Sequence, residues 1–281
     1  MSTLVPPLYT GLVDDACLLP PSPTGVADAV AKHAEHRAGW FAGLLGPLLV
    51  PASLIGAGLR ADDLPVAVVS DVSLSALPIA VEKLRAAGAR VLHLEAAVAR
   101  RGEDPQPGLA GLRMLAEGDE DLLVYAEIPL SWGLLSALDA VAAARAEGLR
   151  LAPKFRVGGL AAELFPTPVE LAAVLCACRD RELPFRLAAG LRHAIRHTDP
   201  ETGFTHHGFL NVLTAALSVH DGGEVAEVAE VLAATHPVPL VEACRTRRGE
   251  PRPMFTGFGS VGVVEPLTEL VRLGLINGGY E

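Results

Sequence analysis

The 281-residue chain has no basic run longer than Arg100-Arg101 or Arg247-Arg248, and its formal charge is −10. A nucleic-acid surface or an anionic membrane needs a cationic patch, so neither partner is expected. Any anionic ligand must then be held by a local cluster of cations. The four cysteines, Cys17, Cys176, Cys178 and Cys244, form no C-x-x-C pair and no disulfide-dense pattern, and read as buried thiols of a reducing compartment. The opening residues, MSTLVPPLYTG, lack a basic stretch followed by an apolar one, so no signal peptide is expected and the location reads as cytoplasmic. The segment from Ala38 to Leu59 carries no charge, yet Pro47, Pro51 and five glycines interrupt it. It reads as a helix end, a short strand and a turn, not as a membrane span. No G-x-G-x-x-G follows the first apolar run, which disfavours a dinucleotide-binding sheet, and no H-x-H or H-E-x-x-H marks a metal site.

What the chain does have is a 50% hydrophobic composition, enough for one large α/β domain over residues 1–281. Eight short apolar runs read as strands: Tyr9 to Val13, Pro47 to Pro51, Pro65 to Ser70, Arg90 to Glu95, Asp121 to Ile128, Arg150 to Val157, Pro184 to Gly190 and Phe255 to Ser260. Most do not alternate, as expected of strands buried on both faces. Between them stand helical spacings such as Leu74, Leu77, Val81 and Leu84, or Leu267, Leu270, Val271 and Leu275. Thr167-Pro168-Val169-Glu170 supplies an N-cap, a first-turn proline and a capping-box glutamate, and Gly88 and Gly148 sit where helices should stop. The connection Ala52 to Leu64 is too short for a full crossover helix. Repeated strand-then-helix order with eight strands favours the closed (β/α)8 TIM barrel. The long tract Leu191 to Met254 reads as a helical elaboration between the seventh and eighth strands, at the barrel mouth.

In such barrels the active site lies at the carboxyl ends of the strands. The polar residues expected there are Asp14 and Asp15, Ser53, Ser70 and Asp71, His93 and Glu95, Glu127, Lys154 and Arg156, Arg186, Arg192 and His193, and Ser260. A period of two puts Lys154 and Arg156 on one face of the sixth strand. If that face is inward, burial and the neighbouring cation both disfavour a charged Lys154, leaving a neutral amine nucleophile near neutral pH. The alternative is a structural ion pair of Lys154 with Glu127 or Asp15. Gly158, Gly159, Gly190 and Gly259 allow backbone N–H groups to approach an anion, or serve only tight turns.

Several of these segments resemble one family, the class I deoxyribose-phosphate aldolases and their barrel relatives. Residues Leu12 to Pro21, LVDDACLLPP, are similar to that family's I-D-H-T-L-L-K-P on the first strand. Gly88 to His93, GARVLH, is similar to G-A-D-E-I-D, Lys154 to Gly159, KFRVGG, to K-T-S-T-G-F, Phe185 to Arg192 to V-K-A-S-G-G-I-R, and Gly257 to Gly262 to G-T-S-S-G. The resemblance implies a barrel lyase without a cofactor, in which Lys154 forms a Schiff base with a small phosphorylated or carboxylated carbonyl compound. It further implies Asp14, Asp15, His93, Glu95 and Glu127 as proton carriers. Substrate would be held by Arg156, Arg186, Arg192 and His193, with Gly158, Gly159, Gly190, Gly259 and Ser260. The departures are at His93, where the family has its aspartate, at Arg186, where it has a second lysine, and at Phe155 and Arg156, where it has threonine and serine.

Two other classes stay open. Asp14, Asp15, His93 and Glu95, with His193, His197, His206 and His207, could build the zinc or manganese site of a barrel hydrolase. A non-catalytic barrel binding a phosphorylated metabolite would carry a similar ring of residues. The pattern of Ala189 to His197, AGLRHAIRH, superficially resembles that of phosphoribosyltransferases, but the order of motifs is wrong for that class. Arg245 to Arg252 reads as a solvated loop, Trp40 and Trp132 as packing residues, and a homo-oligomer is left open.

Overall fold

The computed structural model describes residues 5–20, 24–56 and 62–278. Pro21, which closes the first motif, and Leu59, which closes the uncharged segment, lie outside the described residues. In chain order the strands are β1 (Val13–Asp15), β2 (Leu45–Pro51), β3 (Pro65–Val69), β4 (Arg90–Ala97), β5 (Leu123–Glu127), β6 (Leu151–Arg156), β7 (Phe185–Ala188), β8 (His197–Thr198), β9 (Thr205–His206) and β10 (Phe255–Ser260). β1 to β7 and β10 pair in parallel and close into a barrel, with β10 between β7 and β1; β8 and β9 form a separate antiparallel hairpin. The helices are α1 (Val26–Ala38), α2 (Leu77–Ala86), α3 (Gln106–Gly118), α4 (Leu134–Ala146), α5 (Pro168–Arg179), α6 (Phe209–His220), α7 (Val225–Ala233), α8 (Pro237–Arg247) and α9 (Val264–Arg272). The fold is the expected TIM barrel, and no helix among the described residues is long and apolar enough to cross a membrane.

Two apolar layers explain the non-alternating runs. Outward side chains such as Val50, Val68, Leu94, Val124, Phe155, Leu187 and Phe258 pack with helix residues such as Leu84, Leu112, Val141 and Leu175 in one continuous core. Each fully buried side chain of this size stabilises the fold by roughly 1.5–3 kcal/mol. Leu49 and Ala67, on the alternate faces of β2 and β3, form a smaller separate cluster with Ala16, with Leu19 and Val69 against it. One side of the barrel lumen is therefore apolar.

The local signals at α5 hold: the Thr167 hydroxyl accepts from Glu170 N at 3.2 Å, Glu170 Oε2 accepts from Thr167 N at 2.7 Å, and Pro168 opens the helix. Gly88 and Gly148 adopt φ of +85° and +94°, left-handed stops that other residues adopt only at a cost. After β2 the chain makes a 3-10 turn at Ala52–Leu54, and residues 57–61 of that connection lie outside the described residues.

Four expectations are corrected. The first strand begins at Val13 and not at Tyr9, because Pro7 opens a 3-10 turn at Pro7–Tyr9 and Gly11 turns the chain at φ +60°. In the elaboration between β7 and β10, it is residues 191–208 that meet the loop after β6, with Phe204 and His206 against Phe165. The helices of the elaboration join the outer layer, and ten of the twelve residues of α6 are buried, with Phe209 stacked on Phe258 at 5.5 Å. Arg252 is no solvated residue: it donates to the carbonyls of Leu8 at 2.8 Å and Thr256 at 2.9 Å, tying the approach to β1 to the last strand. Trp40 packs on the core as expected, but Trp132 is 71% exposed.

Candidate active site

Alternation delivers one charged side chain after another to the lumen. β1 contributes Asp14, β4 contributes His93 and Glu95, β5 contributes Tyr125 and Glu127, β6 contributes Lys154 and Arg156, and β7 contributes Arg186. Lys154 is the register partner of both Glu127 and Arg186, so these three stand at one level of the barrel. Asp14, His93, Glu95, Lys154 and Arg186 are all buried.

Lys154 Nζ donates to Glu95 Oε2 at 2.8 Å and lies 2.7 Å from Glu127 Oε2. The other oxygen of Glu127, Oε1, accepts from Arg156 Nε at 3.0 Å. Glu95 Oε1 lies 3.1 Å from His93 Nε2 and 3.2 Å from Arg186 Nε. Arg186 also forms an ion pair with Asp14, although among the described residues neither oxygen of Asp14 accepts a hydrogen bond. A Cβ on Gly46 would overlap Asp14 Oδ1, so this carboxylate occupies space that only glycine leaves open. Tyr125 is the platform beneath the cluster. The Arg186 guanidinium lies 5.2 Å from its ring centroid, His93 meets the ring edge-on at 5.0 Å, and its hydroxyl donates to Thr256 at 3.0 Å.

Three carboxylates thus face three cations, and this balance decides the charge states. Burial alone would raise the Glu95 carboxyl, yet the ammonium of Lys154 and the His93 ring hold it down at about 2. Glu127 is likewise penalised by burial and is lowered by Lys154 and Arg156. Burial alone would lower the Lys154 ammonium, but the two glutamates push it above the usual lysine range. The expected neutral amine is therefore corrected. Arg156 is not set against the amine but shares Glu127 with it, so lysine rests protonated. The Glu127 ion pair, the alternative read from the sequence, is present.

The remaining expected residues divide. Asp15 faces α1, where it pairs with His33 Nδ1 at 3.1 Å and accepts from Cys17 N at 3.2 Å. Arg192 and His193 pair with Glu265 at 3.6 Å and Glu269 at 2.7 Å, both on α9. Gly158 and Gly190 bring the loops after β6 and β7 into backbone contact, since a Cβ on Gly158 would lie 2.8 Å from Gly190 Cα. Gly159 makes room for Leu164. Gly259 packs near Leu49, and the Ser260 hydroxyl donates to Gly262 O at 2.7 Å. Ser53 N donates to Asp71 at 2.9 Å, past the ends of β2 and β3. Asp14, His93 and Glu95 offer metal-ligand atoms that all lie within 4.8 Å of one another. Among the described residues, neither Asp15 nor the histidines of residues 193–207 join that group.

Beside the cluster opens a cleft of about 760 Å³ at the carboxyl ends of β5 and β6, with Glu127 and Arg156 in its wall. Phe165 and Pro166 line it, and the 191–208 excursion holds both. Phe165 stacks on Phe204 at 4.7 Å and meets His206 edge-on at 4.9 Å, while His207 Nε2 lies 2.8 Å from Pro166 O. Burial pushes the His207 imidazole down to about 4, so it acts as a neutral donor. No protein-family model matches the chain, and no curated protein matches it. The sequence reading passed over Tyr125, although a period of two from Glu127 puts it on the same face, and passed over the cleft, whose walls come from loops after different strands.

Proposed function

We propose that the protein is a class I aldolase-like lyase that forms a Schiff base between Lys154 and a small carbonyl compound bearing a carboxylate or phosphate. The observation that carries this reading is the buried Lys154 toward the carboxyl end of β6, with the carboxylates of two glutamates at 2.8 and 2.7 Å from its nitrogen. An iminium ion carries the same unit charge as the resting ammonium. Glu95 and Glu127 are thus already placed to stabilise the cationic intermediate, without reorganisation when the reaction occurs.

The resting lysine must first lose a proton. An anionic substrate that draws Arg156 off Glu127 removes one of the two cations holding that carboxylate ionised, and Glu127 then accepts the proton from Lys154. The free amine attacks the carbonyl carbon, and the protonated Glu127 returns its proton to the departing hydroxyl, which leaves as water. In the cleavage direction a base takes the proton of the β-hydroxyl, the bond between the α and β carbons breaks, and its electron pair flows into the iminium to give an enamine. The β carbon leaves as an aldehyde. Protonation of the enamine carbon and hydrolysis of the iminium restore Lys154. Glu95, 2.8 Å from the nitrogen with His93 behind it, is the second carboxylate at hand as base, and Arg186 with Asp14 fixes its orientation.

Borohydride reduction in the presence of aldehydes and 2-oxo acids tests the reading. Lys154 is one of only three lysines, so the adduct is assigned unambiguously by peptide mass. A second reading rests on the closeness of Asp14, His93 and Glu95, which would serve a divalent cation if Arg186 moved aside. Metal analysis of untagged protein separates the two: a stoichiometric ion that is needed for turnover favours the hydrolase.

A further inference from the structure

We infer that the cleft beside the lysine takes 2-oxo acids with an apolar body, the carboxylate on Arg156 and the tail along the cleft wall. The inference rests on the Schiff-base reading for the role of the carbonyl, and on separate observations for the rest of the ligand.

The first is the sharing of one carboxylate by two cations. Lys154 Nζ lies 2.7 Å from Glu127 Oε2, and Arg156 Nε donates to Oε1 of the same group at 3.0 Å. A ligand carboxylate that replaces Glu127 on the guanidinium would leave the next atom of the ligand on the side of Lys154. In a 2-oxo acid that next atom is the carbonyl carbon. Arg156 is 45% exposed at its side chain and Glu127 17%, so this pair, and not the buried Lys154, is what the cleft presents to an arriving anion. The forked, planar guanidinium matches a carboxylate in two hydrogen bonds.

The second is the chemistry of the walls. Away from Glu127 and Arg156 the cleft wall includes an apolar stretch of Leu130, Leu134, Leu164, Phe165 and Val174, while Arg101, the other cation of the wall, donates to the Leu130 carbonyl at 2.9 Å. The cleft volume of about 760 Å³ exceeds the needs of a three-carbon acid and lies within the range of small-ligand sites. The third is the rim. Leu135, which lines the cleft, is 57% exposed, and Trp132 and Leu160, on the flanking loops after β5 and β6, are 71% and 98% exposed. Leu135 is thus a large apolar side chain of the cleft wall left in water, as at a surface that a ligand covers.

With such a ligand the lyase step is the cleavage of a 4-hydroxy-2-oxo acid. The carbon–carbon bond between C3 and C4 breaks, and C4 leaves as an aldehyde carrying the apolar tail. C3 takes a proton, and hydrolysis of the iminium releases a three-carbon 2-oxo acid from Lys154. No oxidant or reductant enters.

Calorimetric titration of the wild-type protein and of Lys154→Met with 2-oxobutanoate, 2-oxohexanoate, 2-oxooctanoate and octanal tests the assignment. Affinity is expected to rise about two- to four-fold per added methylene, as burial of a methylene implies. Arg156→Ala is expected to weaken 2-oxooctanoate at least ten-fold and to leave octanal within a factor of two. Leu135→Glu, at an exposed position that folding tolerates, is expected to flatten the dependence on chain length. An affinity that is constant or falls with chain length in the wild-type protein overturns the cleft assignment, and equal losses of 2-oxooctanoate and octanal in Arg156→Ala overturn the carboxylate assignment. Binding that keeps its chain-length dependence while borohydride traps nothing overturns the Schiff base alone.

Discussion

Glu95 Oε2 accepts a hydrogen bond from Lys154 Nζ at 2.8 Å across 59 positions of sequence, from β4 to β6, with β5 between the two strands. The same ammonium reaches Glu127 on β5, so one nitrogen ties three consecutive staves of the barrel. The lysine is at once the proposed nucleophile and a member of the fold.

Removing it should therefore cost stability. Lys154→Met leaves two glutamates without their shared cation and is expected to lower the unfolding free energy by about 3–5 kcal/mol in urea titration. The double variant Lys154→Met/Glu95→Gln is expected to recover part of that loss. A single-variant loss below about 1 kcal/mol, the range of surface ion pairs, would show that water already screens the pair.

The acid limb of stability should have two stages. His207 has a folded value lowered to about 4 against an unfolded value near 6.5, so its contribution is full above about pH 6.5 and is lost as pH falls toward 4. Glu95, held at about 2 against roughly 4.3 in the unfolded chain, contributes fully above about pH 5 and is lost as pH falls toward 2. Glu127 shifts in the same direction. Lys154, raised by the glutamates, contributes throughout this window and is lost only at alkaline pH, above its unfolded value near 10.4. Hydrogen exchange from pH 8 to pH 3 is expected to show residues 191–208 opening first. His207→Gln, which keeps a side-chain donor toward Pro166, should remove that first stage and leave the second.

Gly158→Ala should separate the loops after β6 and β7. The added Cβ would meet the Gly190 backbone at 2.8 Å, and backbone cannot rotate aside as a side chain can. A cost of about 1–3 kcal/mol is expected, read from the thermal or urea midpoint. Gly249→Ala is the control, since a Cβ there meets nothing within 4 Å.

The order of strands along the chain and the barrel were legible in the sequence because strands covered on both faces leave short, largely apolar runs, and such runs recur between helical spacings. Glu127 as a partner of Lys154 was legible too, since both end neighbouring strands. What failed has physical causes. Starting β1 at Tyr9 left both aspartates past the strand, whereas inside it they point to opposite faces, Asp14 to Arg186 and Asp15 to His33. The sign of the Lys154 shift depends on Glu95, two strands away, which no local pattern pairs with it. Arg192 follows the seventh strand as expected, but the chain turns it outward to Glu265.

The most direct measurement is borohydride trapping followed by peptide mapping, with 2-oxo acids and aldehydes as carbonyl donors. The account predicts a reduced adduct on Lys154, none above background on the exposed Lys32 and Lys83, and its loss in Lys154→Arg. Binding or turnover of a carbonyl compound with Lys154 left unmodified would contradict it.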